Sequence, residues 1–101
     1  MAHRRLRRAV RLEIVIVNST GGRDLLRACL RSLADHPPRS CDWRAWVVDN
    51  ASTDGAVDMV REEFPWVRLE PLSWNAGFCI ANNVALRQVD ADYVLVLNPD
   101  T

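Results

Sequence analysis

The sequence lacks a long hydrophobic segment. No uninterrupted apolar run exceeds the five residues Tyr93–Leu97, whereas a membrane-spanning helix needs about 20 apolar residues. We therefore expect a protein without a transmembrane segment, either cytoplasmic or peripheral at the inner face of the membrane.

Paired cysteines are also missing. Cys29, Cys41 and Cys79 are odd in number and have no C-x-x-C spacing, so neither a zinc site nor a dithiol redox couple is predicted. We expect three reduced thiols, as in most cytoplasmic proteins.

Net charge is absent as well, because thirteen basic residues balance thirteen acidic ones. Five of the basic residues fall within residues 1–11, which leaves eight against thirteen in the rest of the chain. We expect residues 1–11 to form a basic, flexible tail. The remainder carries a net negative charge, which argues against nucleic-acid binding.

Two hydrophobic periodicities alternate along residues 12–101. Short runs rich in β-branched residues predict strands that are covered on both faces, and apolar stripes at helical spacing predict helices between them. The predicted strands are residues 12–17, 43–48, 67–70 and 93–97, and the predicted helices are residues 24–36, 54–64 and 77–89. In the last helix we expect Ile80, Ala81, Val84 and Ala85 to face inward. The order β-α-β-α-β-α-β favours an α/β fold with one parallel sheet and right-handed crossovers.

Small polar and acidic residues follow three of the four predicted strands. They occupy residues 18–22, 49–55 and 98–100, and ligands of open parallel sheets bind outside the carboxyl ends of the strands. The same residue types also cap helices and form tight turns, so a purely structural role stays open for each segment.

Two acidic residues of these strand-end segments have carboxylates that suit a phosphate-bearing ligand. A carboxylate at a strand end, such as Asp100, is a candidate ligand for Mg²⁺ or Mn²⁺, which bridge phosphate oxygens. Asp49 could accept a hydrogen bond from the imide N–H of a uracil or thymine ring. Asn82 or Asn83 is a candidate for a hydrogen bond to the same loops, and Trp74 is the tryptophan expected nearest the ligand.

Three segments together resemble the family 2 glycosyltransferases. They are VVDNASTDG at residues 47–55, NAGF at 75–78 followed by Asn82 and Asn83, and VLVLNPDT at 94–101. The similarity extends over residues 12–101 and is closest to the rhamnosyltransferase-like branch. It implies a Rossmann-like sheet of the GT-A type that ends here after its fourth strand, and a nucleotide-sugar donor.

The resemblance also implies roles for individual residues. Asp49 matches the aspartate that contacts the nucleobase, Asp100 matches the last, metal-binding position of the Asp-x-Asp-type motif, and Asn98 replaces its first aspartate. The implied nucleotide-sugar-binding residues are Asn18, Asp49, Asn50, Ser52, Asp54, Asn75, Gly77, Asn83 and Asn98. This chain departs from the branch at residues 19–22, where Ser-Thr-Gly-Gly follows Asn18 in place of aromatic-Asn-Gly.

By the same resemblance the acceptor-binding half and the catalytic base lie beyond Thr101. We therefore expect a segment that binds a UDP- or dTDP-sugar, belongs to an enzyme that transfers a sugar such as rhamnose to a glycan acceptor during cell-surface polysaccharide synthesis, and is inactive alone. The fourth strand would be an exposed apolar edge and a route to self-association.

Two other classes of function remain open. A non-catalytic α/β nucleotide-binding or interaction module would have the same strand-end residues. A Rossmann NAD(P) oxidoreductase fits less well, because Asp49 ends the second strand as required but Gly21 and Gly22 do not supply the G-x-G-x-x-G spacing.

Overall fold

The computed structural model describes residues 10–99, which form four strands and three helices in the predicted order. The strands are β1 (Val10–Asn18), β2 (Cys41–Asp49), β3 (Arg68–Pro71) and β4 (Tyr93–Leu97), and the helices are α1 (Arg23–Asp35), α2 (Ala56–Glu63) and α3 (Phe78–Leu86). All strand pairs are parallel, and the sheet order is β3-β2-β1-β4. The predicted α/β class with one parallel sheet is confirmed.

Several element boundaries differ from those predicted. β1 begins at Val10, so Val10 and Arg11, assigned to the tail from sequence, belong to the strand and pair with Cys41 and Asp42 of β2. The rest of the predicted tail, residues 1–9, lies outside the described residues. α3 ends at Leu86 rather than at residue 89, because the N–H groups of Gln88 and Val89 bond three residues back and tighten the chain into a turn.

The sheet is covered on both faces. On one side, called here the α1 face, Ile14, Ile16 and Val47 pack against α1 and α2. On the other, the α3 face, Val15, Val17, Trp46 and Val48 pack against Ala81 and Ala85 of α3. Consecutive strand residues point to opposite faces, which explains why the central strands are nearly continuous in apolar residues.

The orientation of α3 corrects one prediction. Ala81 and Ala85, one helical turn apart, are fully buried against the sheet, and Val84 is partly buried beside them. Ile80, predicted to face inward, is 52% exposed. Its position about 100° around the helix from Ala81 turns it away from the sheet.

β4 is an edge strand, as expected. It pairs with β1 on one side and has no strand on the other among residues 10–99. The side chains of Tyr93, Val94, Leu95 and Val96 are 40–66% exposed. The strand therefore presents apolar side chains on both faces of the sheet.

The cysteines and the length of the helices complete the description of the fold. The three cysteines are free thiols, and burial raises the pKa of the partly buried Cys29. Within residues 10–99 no helix is long and apolar enough to cross a bilayer.

Candidate functional site

A cleft of about 550 Å³ lies at the carboxyl edge of the sheet. The end of β1 forms its floor, and the loops after β1, β2, β3 and β4 contribute to its walls. It is lined by Val17, Asn18, Ser19, Thr20, Gly21, Gly22, Leu25, Asn50, Asn75, Gly77, Phe78, Asn98 and Pro99. Of the strand-end segments singled out from the sequence, residues 18–22, Asn50 and Asn98 therefore line one concave site, whereas the rest of residues 49–55 does not.

The loop after β1 is a tight turn. The Gly22 N–H donates to the carbonyl of Ser19 at 3.0 Å, and Gly21 at the third position of the turn has φ +94°. A positive φ at that position favours glycine. Gly22 is constrained differently, because a Cβ there would lie 2.6 Å from Oδ1 of Asn18. Residues 19–22 thus form a compact glycine turn over the Asn18 side chain.

The Asp49 carboxylate lies behind the cleft. It is 1% exposed and accepts hydrogen bonds from Nδ2 of Asn18 at 3.0 Å, from the Ser52 N–H at 2.9 Å and from the Ser52 hydroxyl at 2.8 Å. Neither Asp49 nor Ser52 is among the lining residues. The contact of Asp49 with a nucleobase stays a prediction. In the structure, the buried Asp49 carboxylate holds the Asn18 side chain in position.

Asp54 fastens two loops together. Its Oδ2 accepts from the N–H groups of Gly21 at 2.9 Å and Arg23 at 3.1 Å, and its Oδ1 accepts from the Ala56 N–H at 3.2 Å. Burial would raise the pKa of Asp54, but these backbone donors outweigh it and hold the pKa below its usual value. The carboxylate is thus engaged by the starts of α1 and α2 and lies outside the cleft lining.

Two asparagines shape the loop before α3. Oδ1 of Asn50, a residue that is 3% exposed, accepts from the Ala76 N–H at 3.1 Å, and Oδ1 of Asn75 accepts from the Gly77 N–H at 2.9 Å. The Asn50 N–H in turn donates to the carbonyl of Asn18 at 2.8 Å. The loop after β2 is therefore bonded to both neighbouring loops, which gives the cleft walls a fixed shape.

The predicted binding residues fall into three groups. Five line the cleft: Asn18, Asn50, Asn75, Gly77 and Asn98. Three lie behind it and hold its loops: Asp49, Ser52 and Asp54. Asn83 does not reach the cleft and is exposed on α3.

Three further observations complete this comparison. Asn82, the neighbour of Asn83, is the buried one of the pair, and its Oδ1 has no hydrogen-bond partner within residues 10–99. Trp74 is 61% exposed and does not line the cleft. Leu25 and Phe78, the large apolar residues of the lining, were not predicted from the sequence as site residues. Each lies in the first turn of a helix that follows a strand-end loop, where contact with a ligand at the strand ends is expected.

A divalent cation is not accommodated by the described residues alone. Residues 10–99 contain no group of three His, Cys, Asp or Glu side chains that could hold a metal, and the cleft lining carries amide and hydroxyl groups without a carboxylate. Mg²⁺ and Mn²⁺ prefer carboxylate ligands. The predicted ligand Asp100 follows the lining residue Pro99 in the chain and lies outside the described residues.

A parallel α/β sheet with a cleft at its carboxyl edge defines a ligand-binding domain of the Rossmann-like class. The sequence pattern of glycosyl transferase family 2 matches residues 12–101, and the chain belongs to this family. A search of curated proteins gave no significant match.

Two solved structures are similar to this chain. Mannosyltransferase PcManGT from Pyrobaculum calidifontis, in complex with GDP-Man and Mn²⁺, is similar with a TM-score of 0.79 and 26% identity over 92% of this chain and 28% of that one. TarS from S. aureus shares the fold, with a TM-score of 0.76 and 24% identity over 89% of this chain and 16% of that one. The four-stranded sheet of this chain therefore matches part of a GT-A domain, and the chain spans less than a third of either protein.

Proposed function

We propose that this chain is the donor-binding part of a glycosyltransferase and that its cleft holds a nucleoside diphosphate sugar. The observation that carries the proposal is the convergence of the loops after all four strands on one cleft, in a chain of glycosyl transferase family 2. PcManGT, which was solved with GDP-Man, supports a nucleotide sugar as the ligand class.

The chemistry of the cleft wall fits such a donor. Asn50, Asn75 and Asn98 offer amide groups for hydrogen bonds to a base, ribose or sugar, and Leu25 and Phe78 offer apolar surface for a ring face. The first turn of α3 borders the same cleft, and the N–H groups at a helix start favour a diphosphate.

The metal is the second part of the proposal. We assign Asp100 as a ligand of Mg²⁺ or Mn²⁺, on its match to the Asp-x-Asp-type motif and on the Mn²⁺ present in PcManGT. A divalent cation bound there would neutralise charge on the diphosphate leaving group.

The remaining assignments rest on the rhamnosyltransferase-like resemblance. They are a UDP- or dTDP-sugar with rhamnose as the transferred sugar, a glycan acceptor, a role in cell-surface polysaccharide synthesis, and a location in the cytoplasm or at the inner membrane face. The acceptor site and the catalytic base would be supplied by sequence outside these 101 residues, so we expect no sugar transfer by this chain alone. Transfer by the purified chain would contradict that expectation.

Calorimetric titration of the purified chain with UDP-, dTDP- and GDP-sugars, with and without Mn²⁺, tests the proposal. We expect Asn75→Ala to raise the dissociation constant of the nucleotide sugar roughly tenfold, which corresponds to the loss of about one hydrogen bond to a polar ligand. Asn83→Ala is the matched control, because it removes the same amide from an exposed site outside the cleft.

Asp100→Ala should abolish the enhancement of binding by Mn²⁺, whereas Asp90→Ala, at a side chain that is 97% exposed, should leave it unchanged. Absence of binding to any nucleotide sugar, or equal losses in Asn75→Ala and Asn83→Ala, would overturn the donor assignment. Binding that depends on Mn²⁺ to the same extent in Asp100→Ala would overturn only the metal assignment.

A further inference from the structure

The side-chain amide of Asn50 has a fixed orientation in the cleft. Asn50 follows β2, is 3% exposed and lines the cleft. The Ala76 N–H points at one terminal atom of this side chain at 3.1 Å and needs an acceptor there. That atom is therefore the amide oxygen Oδ1, because the amide nitrogen carries two hydrogens and only donates. The Nδ2 group occupies the other branch of the amide.

Nδ2 of Asn50 is a donor without a partner in the chain. It donates no hydrogen bond within residues 10–99. Turning the amide over would set Nδ2 against the Ala76 N–H, so the donor cannot be exchanged for an acceptor at low cost. A ligand that displaces water from this position must supply an acceptor, or it leaves the donor unpaired.

Asn75 has the same polarity. Its Oδ1 accepts from the Gly77 N–H at 2.9 Å, and the residue lines the cleft beside Ala76. Both amides of this wall therefore use their oxygens for backbone N–H groups and keep their Nδ2 donors for a ligand. This part of the cleft favours ligand oxygens over ligand N–H groups.

The order of the strands indicates which part of the proposed donor meets Asn50. β2 and β4 lie on either side of β1, so their carboxyl ends are about 10 Å apart. The proposed metal ligand Asp100 follows β4, and the diphosphate has to lie beside the metal. The base, at the other end of the nucleotide, is then directed towards the end of β2. In a pyrimidine, C4 is directly across the ring from the nitrogen that carries the ribose, so the group on C4 reaches farthest towards Asn50.

We propose that Asn50 determines base specificity. Its Nδ2 donates a hydrogen bond to the oxygen on C4 of a uracil or thymine ring and rejects the amino group that cytosine carries there. The amino group would bring two donors together and leave both unpaired, a mismatch that lowers affinity strongly. This inference rests on the proposed function, because it requires a nucleotide in the cleft.

Calorimetric titration of the 101-residue chain with UDP and with CDP, each with Mn²⁺, tests the proposal, because the two nucleotides share the same ribose and diphosphate. We expect the dissociation constant of CDP to exceed that of UDP at least about tenfold. Asn50→Asp keeps an oxygen for the Ala76 N–H and replaces the Nδ2 donor with a second oxygen. The ratio of the two constants should then fall at least about tenfold, since the added charge weakens both nucleotides alike.

Asn83→Asp is the matched control, because it adds the same charge at an exposed position of α3 outside the cleft. Its ratio should equal that of the unmodified chain, and circular dichroism checks that each variant is folded. Equal affinities for UDP and CDP in the unmodified chain, or an unchanged ratio in Asn50→Asp, would overturn the role of Asn50 and leave the donor proposal standing. Absence of binding by both nucleotides would overturn the proposed function together with this inference.

A second measurement locates the hydrogen bond on the ligand without changing the protein. Sulfur is a weaker acceptor than oxygen, so 4-thio-UDP lacks the strong acceptor on C4, whereas 2-thio-UDP retains it. We expect 4-thio-UDP to bind roughly three- to tenfold more weakly than UDP, and 2-thio-UDP to bind within about twofold of UDP. Equal losses with the two analogues, or a loss confined to 2-thio-UDP, would contradict the bond to the oxygen on C4.

Discussion

At the scale of single residues, the candidate site depends on the close packing of the Gly22 backbone against the Asn18 side chain. The Asn18 side chain is 1% exposed and is held by Asp49, and the Gly22 backbone packs directly over its Oδ1. Glycine is required there for space, since a Cβ would also lie 3.1 Å from the carbonyl of Ser19. Glycine at position 22 is therefore fixed by packing inside this chain.

Gly22→Ala should destabilise the fold by about 1–3 kcal/mol, the range for overpacking a closely packed position. In an Asn18→Ala background the same substitution should cost less, because the atom that it meets first is absent. Urea unfolding of the four proteins of this cycle measures the coupling between the two sites. Equal costs in both backgrounds would show that the contact with Asn18 is not the cause.

At the scale of elements, hydrogen bonds join the loop after β1 to the loop after β2. Thr20 Oγ1 accepts from the Thr53 N–H at 2.8 Å, and Asp54 accepts from the N–H groups of Gly21 and Arg23. The start of α1 is thereby tied to the loop that leads into α2. These ties orient both helices and the cleft wall without any ligand.

The Asp54 tie should make stability depend on pH. Its pKa is lower in the folded chain than the usual value of about 3.9, so its contribution is present above that value and is lost as the pH falls through the folded pKa. The difference in urea midpoint between the unmodified chain and Asp54→Asn should therefore be largest above about pH 5 and should shrink as the pH falls below about 4.

Asp58→Asn is the control for that experiment. It removes an exposed carboxylate from the first turn of α2, the helix that follows Asp54. The Asp58 carboxylate makes no hydrogen bond to the loop after β1. If the urea midpoint of Asp58→Asn differed from that of the unmodified chain with the same pH dependence as Asp54→Asn, the effect would be assigned to negative charge at the start of α2. The hydrogen bonds between the loops would then not be its cause.

At the scale of the whole molecule, the fold is a three-layer sandwich around the central strands. Val47 and Val48 are consecutive residues of β2, both 0% exposed, yet they belong to the cores on opposite faces of the sheet. β4 has no comparable cover, since Val96 is 41% exposed. Stability should therefore come from β1 and β2 and from both helical layers.

Val47→Ala and Val48→Ala should each lower the free energy of unfolding by about 2 kcal/mol, because each leaves a cavity in a closed core. Val96→Ala, the same substitution on the exposed strand, should lower it by less than about 1 kcal/mol. Denaturant unfolding at low protein concentration gives all three values. A cost for Val96→Ala equal to the other two would indicate that β4 is covered in solution.

Much of this architecture follows from the order of residues alone. The periodicity of apolar residues depends only on neighbours along the chain, and it determined the four strands, the three helices and their order. The motif segments determined the family. The strand ends placed residues 18–22 and 98–99 at one edge correctly, because parallel strands must present their carboxyl ends together.

The tertiary structure decided which polar side chains face the cleft and which face one another. Asp49, Ser52 and Asp54 have the same local pattern as the lining residues, but neighbouring backbone N–H and side-chain groups surround them once the crossovers bring the loops together. Likewise, Asn82 is buried and Asn83 exposed because the sheet lies against one side of α3, a direction that residue order does not specify. Burial and hydrogen-bond partners depend on elements distant in sequence, so the division between binding and positioning residues appears only in the folded chain.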